Sequence, residues 1–478
     1  MTVVRKIAYN TVFSTGARII AVALSLFSLG IIARYLGSEG FGDYSLILSF
    51  LYIFNILADL GLYSLLTREI SRPGADEKKI ASNIFTIRIV ALLIFLGLAV
   101  AVIWFFPYTA KVKSGIVIAS FGYLFLSAAQ VLMGIFQKYL RIDKAGIADI
   151  IGRLVQVALV IIFIYFKMGL FAILMALNIS CIVNFVVNWI FAKKYVAFGL
   201  AFDFPFWKKM IKEAMPIAAS IVLTLIYFKF DTILLSFKAI NSSSLNPIVD
   251  VGIYNIAYKI LEGLIFFPAM LVGLIMPILS KFAVSDAGAF KRTFQKTFDA
   301  LSIFIVPVVI GLSVLSMPIV TLIGGKDFVA SSLVLKILSF AVGLIFWGNL
   351  LGCSIIALNK QKIGAYIYLG GMVFNIATNL IFIPKYSYFG AAGTTVATEL
   401  LVTILMFWLV YGTIKYFPSL KVFFKAILAG AMMFLFLYLF KSWNLFLLII
   451  GGAIIYFVFL YLIRGVKKED LSLLINKE

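Results

Sequence analysis

Residues 227–237 read YFKFDTILLSF and residues 249–263 read VDVGIYNIAYKILEG, with a short polar connection between them. The apolar background of both stretches belongs in lipid, yet they carry Lys229, Asp231, Lys259 and Glu262. A charge at the centre of a bilayer costs roughly 2.5–3.5 kcal/mol on insertion scales, and such residues normally face a polar interior. Four of them on two neighbouring spans are read as the lining of a cavity through which something polar crosses.

The rest of the chain supports a membrane setting. Of its 478 residues 63% are hydrophobic and 13% charged, and its mean hydropathy is +1.11. Soluble domains are about half apolar and a quarter charged, so this is an integral membrane protein whose length is consumed by spans. The net charge of +21 fits the gathering of basic residues in cytoplasmic loops and implies no nucleic-acid partner. Cys181 and Cys353 both lie in apolar runs, which excludes a disulfide framework or a cysteine metal cluster. Histidine is absent, which removes the usual general base and the commonest metal ligand. The chain reads as a non-enzyme.

Arg5 and Lys6 precede an apolar run, 13–36, that is too long for a signal peptide and lacks a small-residue cleavage site. It is read as the first of fourteen spans. The others fall near 42–67, 81–106, 114–137, 145–166, 169–192, 214–240, 251–280, 294–323, 329–358, 363–384, 389–414, 422–440 and 444–463. With a cytoplasmic N-terminus, 27 Lys and Arg residues fall on the cytoplasmic side, 7 on the other side and 7 within spans, of 41 in all. One missed helix would reverse every later loop, so this bias supports an even span count and two cytoplasmic termini.

Residues 193–213, KKYVAFGLAFDFPFWKKMIKE, mix aromatics with lysines, a composition suited to the cytoplasmic interface. They join two halves that look like repeats. Gly42-Asp-Tyr-Ser echoes Gly252-Ile-Tyr-Asn, and Lys167-Met-Gly-Leu-Phe-Ala resembles Tyr386-Ser-Tyr-Phe-Gly-Ala, each pair six spans apart. An even offset preserves orientation, as in transporters built from parallel repeats. The organisation expected is an N-lobe (1–192), an interfacial linker (193–213), a C-lobe (214–415), and a last section (416–478) with spans thirteen and fourteen and a cytoplasmic tail. Pro268, Pro277, Pro307 and Pro318 lie within spans eight and nine, where each removes a backbone hydrogen bond and bends the helix.

Arg18, Arg88, Arg153, Lys229, Lys259 and Lys336 lie inside spans, against Asp59, Asp149, Asp231, Glu262 and Glu399. Arg34 sits at a span end and snorkels. Asp149 with Arg153 (i, i+4) and Lys259 with Glu262 (i, i+3) are spaced to close within their own helices. Lys229 and Asp231 project about 200° apart and need other partners. Counted from the span edges, Arg18, Asp59 and Arg88 lie roughly 8–12 Å from the cytoplasmic face, with the 229–262 group deeper. Basic groups at two levels suit an anionic headgroup that moves between them, since arginine and lysine are the residues for phosphate. Buried amides such as Asn178, Asn184, Asn375 and Asn379 are read as glue between helices.

The stretch GIIARYLGSEGFGDYSLILSFLYIFNILADLGLYSLLTREIS (30–71) resembles the opening two-span signature of polysaccharide (O-antigen-type) flippases. In that signature an A-R-x-L-G run precedes G-x-Y and a later D-L-G-L. FDTILLS, VGIYNIAYKI and MPILSKF resemble the same unit repeated. The resemblance implies membership of the multidrug/oligosaccharidyl-lipid/polysaccharide exporter superfamily: an all-α membrane protein, two six-helix lobes in a V, here with two extra C-terminal helices. It further implies movement of undecaprenyl-diphosphate-linked oligosaccharide to the outer leaflet of the bacterial cytoplasmic membrane by alternating access. Asp231 is carried over with the FDTILLS block.

On this reading Arg18 and Arg88 receive the diphosphate, and Lys229, Lys259, Lys336 and Arg153 complete the path. The lipid tail stays in the bilayer along the last two helices. Asp59, Asp231, Glu262 and Glu399 are the candidates for a coupling proton or sodium ion, no other cofactor being expected. Membrane lipid and other polysaccharide-assembly proteins are the remaining partners. The rivals are an organic-cation or multidrug antiporter, a flippase for a lipid-linked peptidoglycan precursor, and a glycan polymerase or ligase. The last would need a large external loop, and every external connection here is short.

Overall fold

The computed structural model describes the backbone of residues 3–59 and 61–465 and the side chains of 13, 15–59, 61–215 and 229–465. The tail from 466 onward and the side chains of Arg5 and Lys6 lie outside the described residues. Regular structure among the described residues is helical throughout. The chain forms two compact units, Met1–Gly252 and Ile253–Glu478. The first holds α1 (Val3–Asp59), α2 (Leu62–Ile70), α3 (Glu77–Val102), α4 (Ala110–Lys138), α5 (Ile142–Tyr165), α6 (Gly169–Lys193), α7 (Phe204–Ser236) and the start of α8 (Pro247–Ser285). The second holds the rest of α8, then α9 (Ala287–Val314), α10 (Ser316–Gly324), α11 (Ser331–Ala357), α12 (Gln361–Ile414), α13 (Lys421–Leu439) and α14 (Leu445–Leu462).

A straight helix of 57 residues, the length of α1, would run about 85 Å, nearly three times the hydrocarbon thickness. The chain instead turns at Gly37, whose φ of 68° and ψ of −178° are open only to glycine. Two rods result, 3–36 and 38–59. The 54-residue α12 turns in the same way at Ser387 (φ 47°), giving rods 361–386 and 388–414. Eleven described segments are long and apolar enough to span a membrane. Two of them, Thr15–Ile70 and Gln361–Ile414, each contain two rods, and α7 adds a further span. The count is the fourteen expected.

The stretches quoted as repeats contain backbone breaks and a close crossing. Lys167 (φ 53°) and Ser387 (φ 47°), which stand in the two matched stretches before spans six and twelve, both take the left-handed region. Gly42 and Gly252 meet within the first unit. A Cβ on Gly252 would lie 2.2 Å from the Ser38 carbonyl oxygen, and one on Gly42 would lie 1.9 Å from that of Ile248. Only hydrogen fits at such a backbone crossing. Pro268, Pro277 and Pro307 stay inside continuous helices, whereas Pro318 sits in the first turn of α10, just after the chain bends at Leu315.

The unit boundary falls later than the 193–213 linker. The reason is that α7 packs on the first unit at both ends. At one end Tyr108 Oη lies 2.7 Å from Ser236 Oγ, and the Phe106 and Tyr108 rings stack on Phe237 at 5.7 and 5.5 Å. At the other, Arg68 of α2 pairs with Glu213. In the second unit α13 and α14 build a core with α9 around Val306, Met433, Leu437 and Leu448. The buried Tyr456 hydroxyl donates to the Ile303 carbonyl at 2.7 Å, as a polar group shielded from water requires.

Candidate functional site

The interior charges separate into tight structural pairs and one loose cluster. Arg88 belongs to the first kind. The second span breaks after Asp59, and Gly61 at φ 65°, ψ 18° starts α2 in the left-handed region. A broken helix leaves carbonyls without intrahelical partners. Arg88 of α3, 1% exposed, meets that need. Its Nη1 donates to the Ala58 carbonyl at 2.8 Å and pairs with Asp59 at 2.7 Å, Nη2 donates to Ser127 Oγ, and Nε reaches the Ser127 carbonyl at 3.4 Å. The D-L-G-L run thus makes a helix break, and Arg88 with Asp59 closes it. A fork so fully engaged does not present itself to a diphosphate in this structure.

Arg18 belongs to the loose cluster. It pairs with Asp149 of α5 at 3.9 Å, and Asp149 also pairs with Arg153 one turn along its own helix at 3.6 Å. Arg153 Nη1 donates to Gln156 Oε1 at 3.2 Å. Close approach of the two helices rests on small residues. A Cβ on Gly146, one turn before Asp149, would lie 2.9 Å from the Cβ of Ala17, next to Arg18. Arg153 is the twelfth of 24 residues in α5 and Arg88 the twelfth of 26 in α3, so both lie at mid-helix.

Two guanidinium groups therefore share the Asp149 carboxylate. The side chains of Arg18, Asp149 and Arg153 are 57%, 30% and 33% exposed. Both contacts to Asp149 are longer than a hydrogen bond, whereas the Arg88–Asp59 contact is not. Planar forks held this loosely around a single acid suit a phosphate that brings more acceptors than Asp149 supplies.

The remaining candidates are spread over both units. Lys229, buried, holds its Nζ 5.6 Å from the Tyr52 ring centroid, and Asp231 is buried on the same helix. In the second unit Lys259 and Glu262 close on each other at 2.6 Å, as their spacing predicts. Lys336 is exposed near the start of α11 and forms no ion pair among the described residues.

Glu399 is buried on the second rod of α12, one turn after Thr395. Beside it runs a polar network that individual residues did not reveal. Asn375 donates to Thr398 (3.3 Å), Asn379 to Asn375 (3.0 Å), Thr394 to Asn379 (2.6 Å), and the Tyr254 hydroxyl meets Thr395 (3.2 Å). Its signal is present in the sequence as two i, i+4 polar pairs on consecutive spans. Asn178 does act as glue: it donates to the Ile118 carbonyl at 2.7 Å and accepts from the Gly122 amide at 3.0 Å, tying α6 to α4.

Fourteen spans with charged groups inside the bundle define a multi-pass membrane protein of the transporter class. Residues 7–283, more than half of the chain, match the polysaccharide biosynthesis protein family, and the chain belongs to that family. It is 27% identical over 295 residues to the capsular polysaccharide biosynthesis protein CapF of Staphylococcus aureus, covering 60% of this chain and 72% of that protein. An O-antigen transporter candidate of Shigella dysenteriae is 24% identical over 383 residues, covering 78% and 92%. Among solved structures, the lipid II flippase MurJ in an inward closed conformation superposes with a TM-score of 0.77 at 18% identity. That match covers 95% of this chain and 98% of the other and shows a shared fold.

Proposed function

We propose that the protein flips an undecaprenyl-diphosphate-linked oligosaccharide across the bacterial cytoplasmic membrane, from the inner to the outer leaflet, for surface polysaccharide assembly. The observation that carries this reading is the Arg18–Asp149–Arg153 cluster: two partly exposed arginines sharing one carboxylate at mid-helix in a chain of the polysaccharide biosynthesis family. Incoming phosphate oxygens displace Asp149 from one or both guanidinium groups, and the acid returns when the headgroup leaves. The charge cost of an empty site is thereby kept small. Arg88 with Asp59 and Lys259 with Glu262 act as structural pairs, and Lys229 is a second cationic position along the path.

The lipid tail remains in the bilayer, for which the outward faces of α13 and α14, with Phe424, Leu428, Phe446 and Ile450 exposed, are suited. The 27-to-7 distribution of basic residues supports cytoplasmic termini. For coupling, Glu399 beside the Asn375–Thr398–Asn379–Thr394 network is the acid we assign to a proton or sodium ion, and transport proceeds by alternating access. Deletion of the gene followed by chemical identification of accumulating lipids tests the assignment. A diphosphate-linked oligosaccharide retained in the inner leaflet is expected, and normal export of every such lipid would refute it.

A further inference from the structure

The segment between α6 and α7 is held against α3 by side chains, every second residue at a time. The amides of Gly199, Ala201 and Asp203 donate to Ser82 Oγ (3.2 Å), Thr86 Oγ1 (2.9 Å) and Asn83 Oδ1 (3.0 Å). Trp207 Nε1 adds a second donor to Asn83 Oδ1 at 2.9 Å, and Lys79 pairs with the Asp203 carboxylate at 2.8 Å. In an extended chain alternate residues face alternate sides, so the residues between are turned outward. Leu200, Phe202 and Phe204 are 65%, 62% and 67% exposed. Trp207 gathers the two phenylalanines, with ring centroids 5.7 and 5.3 Å away.

Charge follows directly. Lys208, Lys209 and Lys212 are exposed on the next turns of α7 and form no ion pair among the described residues. The two acids that flank them are already occupied, Asp203 by Lys79 and Glu213 by Arg68. Helix α7 has 33 residues, about 50 Å, against about 30 Å of hydrocarbon. Its first turns therefore stand at or beyond the membrane surface.

We propose that residues 199–212 form a docking surface for anionic phospholipid. Leu200, Phe202 and Phe204 enter the acyl–headgroup boundary, and Lys208, Lys209 and Lys212 collect headgroup phosphates. Because Asn83, Ser82 and Thr86 fix the segment to α3, the lipid contact sets the depth of α3 and α7 together.

The test uses the full chain with Cys181 and Cys353 replaced by alanine, in nanodiscs of phosphatidylcholine alone or mixed with phosphatidylglycerol. A nitroxide at Phe202→Cys is expected to collide more with oxygen than with a water-soluble nickel complex, and one at Lys209→Cys the reverse. Phosphatidylglycerol retained by the protein, read by native mass spectrometry, is expected to be favoured over phosphatidylcholine. That preference should fall about fivefold for each of K208Q, K209Q and K212Q. Water exposure at position 202 in both membranes overturns the proposal. So does an unchanged lipid preference in the triple variant while its thermal stability stays at the wild-type level.

Discussion

Replacing Arg88 by alanine separates a structural cation from one that holds substrate. The side chain is 1% exposed and touches the Ala58 carbonyl, Asp59 and both oxygens of Ser127. Its removal strands the Asp59 carboxylate and reopens the end of a broken helix. Deleting one partner of a buried ion pair costs about 3–5 kcal/mol. The Ala58 carbonyl, left without a donor, would separately cost about 1–3 kcal/mol. These overlap, so a total near 4 kcal/mol is expected, roughly a thousandfold in the folding equilibrium.

Reversible unfolding in mixed detergent, followed by tryptophan fluorescence, measures it for R88A, D59N and the combination of Arg88→Met with Asp59→Asn. Each single variant should be strongly destabilised. The double variant should recover part of the loss seen in D59N, because it leaves no buried guanidinium without its acid; the 27% exposure of Asp59 makes the recovery relative to R88A smaller. Wild-type stability of R88A together with lost binding of lipid diphosphate would refute the reasoning and return Arg88 to the substrate path.

Gly252→Ala sets a Cβ 2.2 Å from the Ser38 carbonyl, so the crossing must open by about 1 Å at a cost of about 1–3 kcal/mol; a cysteine cross-link between positions 38 and 248 should form more slowly in that variant than in its parent. Tyr456→Phe removes the bond to the Ile303 carbonyl, and unfolding should report a loss of about 1 kcal/mol. The pairing with Lys79, together with the Phe206 amide, holds the Asp203 carboxyl below its ordinary value of 3.8. Its contribution to docking of the 199–203 segment is thus complete above that value and is lost as pH falls through the depressed one. The hydrogen-exchange protection factors of the Ala201 and Phe206 amides, taken against the intrinsic rate at each pH, should be high at neutral pH and fall on acidification, and Asp203→Asn should lower them at neutral pH.

The parts legible in the sequence were those set by spacing along one helix. Hydropathy and the distribution of basic residues yielded the span count, and i, i+3 and i, i+4 spacing yielded Lys259–Glu262 and Asp149–Arg153. Pairings between helices were not legible, because they depend on helix rotation and neighbourhood. Arg18 with Asp149 and Arg88 with Asp59 lie 131 and 29 positions apart, and nothing in their own turns announces either. The role of Arg88 follows only once the chain is seen to break at Gly61. The packing of Phe237 on Phe106 and Tyr108 was hidden for a related reason, since it too depends on which helices are neighbours.

The account rests on the loose arginine pair around Asp149, and flipping by purified protein tests it most directly. Proteoliposomes carrying undecaprenyl-diphosphate-linked oligosaccharide on one leaflet are probed with a glycosidase confined to the other side. Wild-type protein should render the glycan accessible, R18Q/R153Q should not, and K336Q should behave as wild type. Equal flipping by wild type and R18Q/R153Q, with both correctly folded, would contradict the account.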